Sequence, residues 1–143
     1  MRFLRAVAIS ILGYYVLALA HILIATALQL DILAPSLPVI FWVAATLVTV
    51  ALTFGLMHWY FRTHEKYGWK QGLLFGLFFV AVSIVLDIAY VFVPGDSDIL
   101  FSLFASYAQS PGFLIQCLAV IATAVFVGHA HQTHRGKKKR KHG

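Results

Sequence analysis

The sequence predicts an all-α, polytopic membrane protein, a bundle of four transmembrane helices joined by short loops. Three observations carry this. Hydrophobic residues make up 61 % of the 143-residue chain and charged residues 11 %, against about 25 % charged in an ordinary soluble protein. The mean hydropathy is +0.85. Four apolar stretches, at about 6–28, 39–60, 71–93 and 112–130, each approach or exceed the roughly 20 residues that a helix needs to cross about 30 Å of hydrocarbon. One transmembrane domain over 1–134 and a basic cytoplasmic tail over 135–143 account for the chain. No length remains for a soluble catalytic domain, so any chemistry belongs to the bundle or its loops.

The first span follows Arg2 and Arg5. Its basic start, apolar middle and Ala18-x-Ala20 end resemble a secretory signal peptide. Cleavage there would leave three spans. The apolar run continues through "HILIATAL", a full span rather than a short signal core, and the uncleaved reading is preferred. The turn "LAPSLP" at 33–38 leads to the second span. Pro35 and Pro38 lack backbone donors and bias the residues before them away from helix. A short loop of mixed charge, "RTHEKYGWKQG" at 62–72, joins spans two and three, and "PGDSD" at 94–98 is another turn. The segment 99–109 is expected as a short helix at the outer surface, broken from span four by "SPG" at 110–112. Its alternative is one kinked helix from 99 to 131, roughly 50 Å long at about 1.5 Å per residue. That is too long unless strongly tilted.

Charge sets the orientation. All 11 Lys and Arg lie before span one, between spans two and three, or after span four. The opposite loops hold Asp31, Asp96 and Asp98 and no basic residue. The positive-inside rule then places both termini in the cytoplasm, with the bacterial inner membrane as the expected location. That arrangement requires an even number of spans, and four is even. Trp59, Tyr60, Tyr67 and Trp69 are expected as an inner aromatic belt, with Trp42 and Tyr107 towards the outer side.

Polar residues recur at helical spacing in each span: Ser10, Tyr14 and His21; Trp42, Thr46, Thr49 and Thr53; Gly76, Ser83, Asp87 and Tyr90; Gln116 and Thr123. Membrane helices pack through small and polar faces, so a mildly polar inner seam explains the stripes without further function. Asp87 asks for more, because a carboxylate in hydrocarbon costs several kcal/mol and usually faces a partner or a cavity. Asp87 lies 17 residues beyond Lys70 and His21 lies 16 beyond Arg5, roughly 26 and 24 Å along their helices. Both fall at one level in the outer half. They are expected to lie close, with Tyr14, Tyr90 or Gln116 in hydrogen-bonding range. Solvation of Asp87 by the outer headgroups, near Pro94, is the bland alternative. A buried His–Asp pair suits proton or ion handling.

The remaining histidines gather at the inner face. His58, His129, His131 and His134 are weak metal candidates, since imidazole is a common ligand but no zinc spacing, cysteine or acid completes a set. His58 and His129 also sit at similar depth, as two axial haem ligands would. Interfacial histidines beside a basic tail are the default, and no cofactor is expected. Arg135, Lys137, Lys138, Lys139, Arg140 and Lys141 are expected to bind anionic lipid headgroups at about 1 kcal/mol each. The tail is short, tethered and free of interleaved aromatics, so nucleic acid is not an expected partner. Cys117, the single cysteine, permits no intramolecular disulfide and reads as a packing residue.

No Ser/His/Asp set, CxxC, HExxH, phosphate loop or carboxylate pair is present, so an enzyme is not expected. The leading functional expectation is an accessory, assembly or structural membrane subunit, with a second copy or another membrane protein as partner. A small proton-linked transporter or channel using Asp87 and His21 is the alternative. A histidine-based metal or haem protein is the third reading.

Overall fold

A computed structural model of the chain describes residues 3–31, 37–62, 68–91 and 109–140, although the side chains of Phe3, Arg62, Tyr90, Val91 and of 133–140 are outside this set. Four helices run in order: α1 (Phe3–Ala27), α2 (Val39–Arg62), α3 (Trp69–Val91) and α4 (Pro111–Arg140). Each contains a stretch long and apolar enough to cross a membrane: Leu4–Ala27, Val39–Phe61, Trp69–Ala89 and Pro111–Gln132. No strand occurs among the described residues. The chain is an all-α four-helix bundle and reads as an integral membrane protein.

Local chemistry sets the helix ends. At the end of α1, Gln29 adopts the left-handed conformation, with φ 54°. Its N–H donates to the Thr26 carbonyl at 3.0 Å, and the Leu30 N–H donates to the Ala25 carbonyl at 2.8 Å. This is the Schellman pattern, built on glutamine instead of the usual glycine. Helix α2 starts from the Pro38 carbonyl, which accepts from Phe41 N–H at 3.0 Å. At the start of α3, the Gly68 N–H donates to Gln71 Oε1 at 3.0 Å, the reciprocal half of a capping box. Ser110 caps α4: its Oγ accepts from Phe113 N–H at 3.2 Å, and Pro111 takes the first helical position, where its missing donor costs nothing. The break expected at 110–112 is therefore a helix start, and a helix running unbroken through it is ruled out. The surface helix expected over 99–109 lies outside the described residues up to position 108.

At its other end α4 continues well past the expected limit near 130, to Arg140. The backbone of the basic stretch to that point is helical and continuous with the last helix. Lys, Arg and Gln propagate a helix well, and cations near a helix C-terminus complement its dipole. Helix persistence and membrane burial are separate properties, so the apolar segment stops at Gln132 while the helix does not.

The helices form a ring in the order α1, α2, α4, α3, with α3 and α4 the most closely packed pair. Small residues make that pair possible. A methyl group at Gly72 would overlap the Ala124 carbonyl oxygen, and one at Gly128 would come within 2.8 Å of the Gly68 carbonyl oxygen. Gly76 lies against Ile121 in the same way. Lipid gives an apolar face no reason to leave it, so close backbone approach through small residues is what holds such helices together.

Two apolar clusters flank the middle of the bundle. The larger, towards the basic end, joins Ala6, Ile9, Met57, Tyr60, Phe61, Phe75, Ala124 and Val127. The smaller joins Ala25, Phe41 and Ala45 of α1 and α2 at the opposite, distal end. Tyr60, expected in an interfacial belt, is a core residue with its ring centroid 4.5 Å from that of Phe75. Its place one position beyond Trp59 turns it inward while Trp59 stays exposed. Arg5 joins this end together by donating to the Trp59 carbonyl at 3.4 Å. Trp42 also departs from the belt: it is half-buried and packs over Gly112, where any side chain would collide with its ring. Tyr67 and Tyr107 lie outside the described residues.

Candidate functional site

Between the two clusters, in the distal half of the bundle, lies a partly open cavity of about 170 Å³ lined by all four helices. Its polar lining comes from Tyr14 and His21 of α1, Thr49 of α2, Ser83 and Asp87 of α3, and Gln116 of α4. Leu17, Phe79 and Val120 belong both to this lining and to the larger apolar cluster. They join the cavity wall to that cluster.

Helical periodicity explains how these groups meet. Tyr14, Leu17, Ala18 and His21 recur at three- and four-residue steps along α1, as do Phe79, Val80, Ser83, Ile84 and Asp87 along α3. One stripe of each helix therefore faces the cavity. Gly13 makes room beside Tyr14, because any side chain there would strike the Phe79 ring.

The two ionisable groups share the cavity but bind different partners. The Tyr14 hydroxyl donates to Asp87 Oδ1 at 2.7 Å, a charge-assisted length. Gln116 Nε2 lies 3.4 Å from His21 Nε2. The amide donates there when His21 carries its proton on Nδ1. No ion pair joins His21 to Asp87. The expected neighbours Tyr14 and Gln116 are thus present, each serving one member of the pair, while the Tyr90 side chain lies outside the described set. Asp87 faces the cavity from α3 rather than lipid. His21 also lies beside Phe41, with ring centroids 6.0 Å apart.

The hydroxyls divide into two kinds. Ser83 Oγ donates to the Phe79 carbonyl at 3.0 Å, and Thr26 Oγ1 to the Ile22 carbonyl at 2.8 Å. Each is satisfied within its own helix. Ser10, Thr49 and Thr53 are fully buried, and their hydroxyls have no hydrogen-bond partner among the described residues. Thr49 is the one of these that lines the cavity. Thr53 lies one turn from Thr49, and Ser10 one turn from Tyr14, both towards the basic end.

The inner histidines do not converge. His58 is exposed and stacks on Phe54 of its own helix at 6.5 Å. His129 is exposed, His131 is half-buried against Phe61 at 6.2 Å, and the His134 side chain lies outside the described set. Among the described residues no three His, Cys, Asp or Glu side chains are grouped as metal ligands would be. The side chains of the basic stretch from Arg135 onward are likewise not described.

Reading the residues one at a time missed two features. Cys117, read as a packing residue, is half-buried and lines the cavity. Gly72 and Gly76 on α3, with Gly68 just before its first residue, form a ladder at four-residue steps, matched by Ala124 and Gly128 on α4. Small residues four apart in an apolar segment are the signal that would have revealed it. Compared with family models, with curated proteins and with solved structures, the chain matches none.

Proposed function

We propose that the chain is a small membrane transporter or channel that handles protons, or a proton-linked substrate, at the Asp87 cavity. The observation that carries this is the placement of Asp87 and His21 on one cavity wall system, each held by a neutral polar partner instead of by the other. A seam that serves packing alone closes on itself, whereas this one opens into a cavity with a carboxylate and an imidazole facing it. That favours transport over the accessory-subunit role. The reading contains no catalytic step and requires no cofactor. The larger apolar cluster fills the half of the bundle towards the basic end, and it is the barrier that passage to that end must open. We place both termini in the cytoplasm and the basic extension of α4 against anionic headgroups, on the strength of the charge distribution.

Reconstitution tests this. Full-length protein in sealed vesicles with an imposed pH gradient is expected to dissipate it faster than protein-free vesicles. Asp87→Asn should return the rate to the protein-free level. Tyr14→Phe, which removes one hydrogen bond and leaves the carboxylate, should give an intermediate rate. Native protein that leaves the gradient unchanged, with and without candidate substrates, would sink the proposal.

A further inference from the structure

We infer that the cavity is a binding site for a small organic ammonium ion, held by Asp87 through its charge and by the surrounding rings through its alkyl surface. This inference rests on the reading of Asp87 as the functional centre and names the class of ligand that such a centre takes.

The size of the cavity sets the first limit. At about 170 Å³ it falls below the roughly 300 Å³ at which pockets for drug-sized ligands begin. The occupant has only a few heavy atoms. Charge sets the second. Among the described residues Asp87 is the only acidic side chain in the lining, and no Lys or Arg accompanies it, so this lining favours cations over anions. The character of the walls sets the third. Inorganic cations such as calcium need six or more oxygen ligands and magnesium keeps an octahedral shell. This lining offers one carboxylate among mostly apolar residues. An ammonium ion bearing alkyl groups matches it, with its charge on the carboxylate and its carbon against the walls. Phe79, Phe113 and Tyr14 line the cavity, and aromatic faces attract ammonium groups, most strongly where water is excluded.

A separate observation points to a ligand with N–H groups. Thr49 is 2 % exposed and lines the cavity, and its hydroxyl has no hydrogen-bond partner among the described residues. Leaving a buried hydroxyl unpaired costs about 1–3 kcal/mol. A primary ammonium ion has three donors. One can serve Asp87 and another can serve Thr49 from the opposite side of the bundle.

Cys117 supplies a native reporter, since it lines the same cavity and is the single cysteine of the chain. Alkylation of Cys117 by iodoacetamide is followed in purified full-length protein in mild detergent, so that sidedness plays no part. Propylammonium is the probe, and n-propanol and butyrate are the neutral and anionic controls of similar size. Propylammonium is expected to slow alkylation several-fold and saturably, because the bound ion covers the thiol. The controls should leave the rate unchanged. Protection should persist in Asp87→Glu, disappear in Asp87→Asn and weaken in Thr49→Val, each variant first shown to be helical and monodisperse. Equal protection by n-propanol would overturn the inference, as would protection that survives in Asp87→Asn, no protection at all, or a Cys117 that no reagent reaches. Proton flux without amine is measured separately. Flux without protection ends this inference and leaves the transport reading standing, and protection without flux does the reverse.

Discussion

A carboxylate in an apolar helix needs a local reason, and Asp87 has two. It faces a cavity instead of lipid, and it accepts a 2.7 Å hydrogen bond from Tyr14. Both reduce the desolvation cost that burial imposes on a charge. Gln29 is a second residue carrying a visible cost. Its left-handed backbone, φ 54°, strains any side chain with a Cβ atom. It persists because the hydrogen bonds to Ala25 and Thr26 close the end of α1. Gln29→Gly is expected to stabilise the protein by about 0.5–1 kcal/mol, the left-handed strain relieved less the extra flexibility of an unfolded glycine. Gln29→Val should destabilise it, since a β-branched side chain suits that conformation least. Unfolding titrations in one detergent, with all three proteins side by side, read both changes.

At the level of the helices, the α3–α4 contact is the firmest part of the bundle, and glycines set it. Gly72→Ala forces a methyl into the Ala124 carbonyl, where backbone on both sides must move. It is expected to cost about 1–3 kcal/mol, the usual penalty of overpacking. Gly55, on α2, has open space around its Cβ direction. Gly55→Ala should therefore be neutral or stabilising by up to about 1 kcal/mol, the ordinary gain of alanine over glycine in a helix. Thermal unfolding of the two variants under identical conditions makes the comparison. A loss at Gly55 equal to that at Gly72 would show that general sensitivity, and not the α3–α4 approach, is being measured. Helix α1 behaves differently, because two polar contacts tie it in as well as packing: Tyr14 reaches α3, and His21 reaches Gln116 on α4.

The whole molecule has a direction. Arg5 and Lys70 lie towards one end together with the larger apolar cluster, and the cavity lies in the other half. With four spans both termini lie on one side, and the positive-inside rule is the ground on which we propose that this side is the cytoplasm. Reporter fusions at the N- and C-termini are both expected to report a cytoplasmic location, and a reporter inserted within 92–108 should report the opposite side. A split result between the two termini would mean an odd number of spans in the membrane. In the predicted orientation the cavity opens in the outer half, and the basic extension of α4 meets the anionic inner leaflet.

The sequence by itself determined the four spans, their approximate limits, the common side of the basic residues and the shared depth of Asp87 and His21. These are properties read along one dimension. Apolar length, charge position and rise per residue do not depend on which helices become neighbours. The pairing at the site did depend on it. Tyr14 reaches Asp87 because α1 neighbours α3 in the order of the ring, and His21 meets Gln116 across its centre because both helices turn those side chains inward. That order follows from close contact between Gly72, Gly76, Ala124 and Gly128, a fit of two surfaces that no single helix displays. The same packing turns Tyr60 inward, seats Trp42 over Gly112 and brings Cys117 to the cavity wall. The bilayer's demand for long apolar helices is written into each segment separately, whereas the cavity exists only in the space the assembled helices leave unfilled.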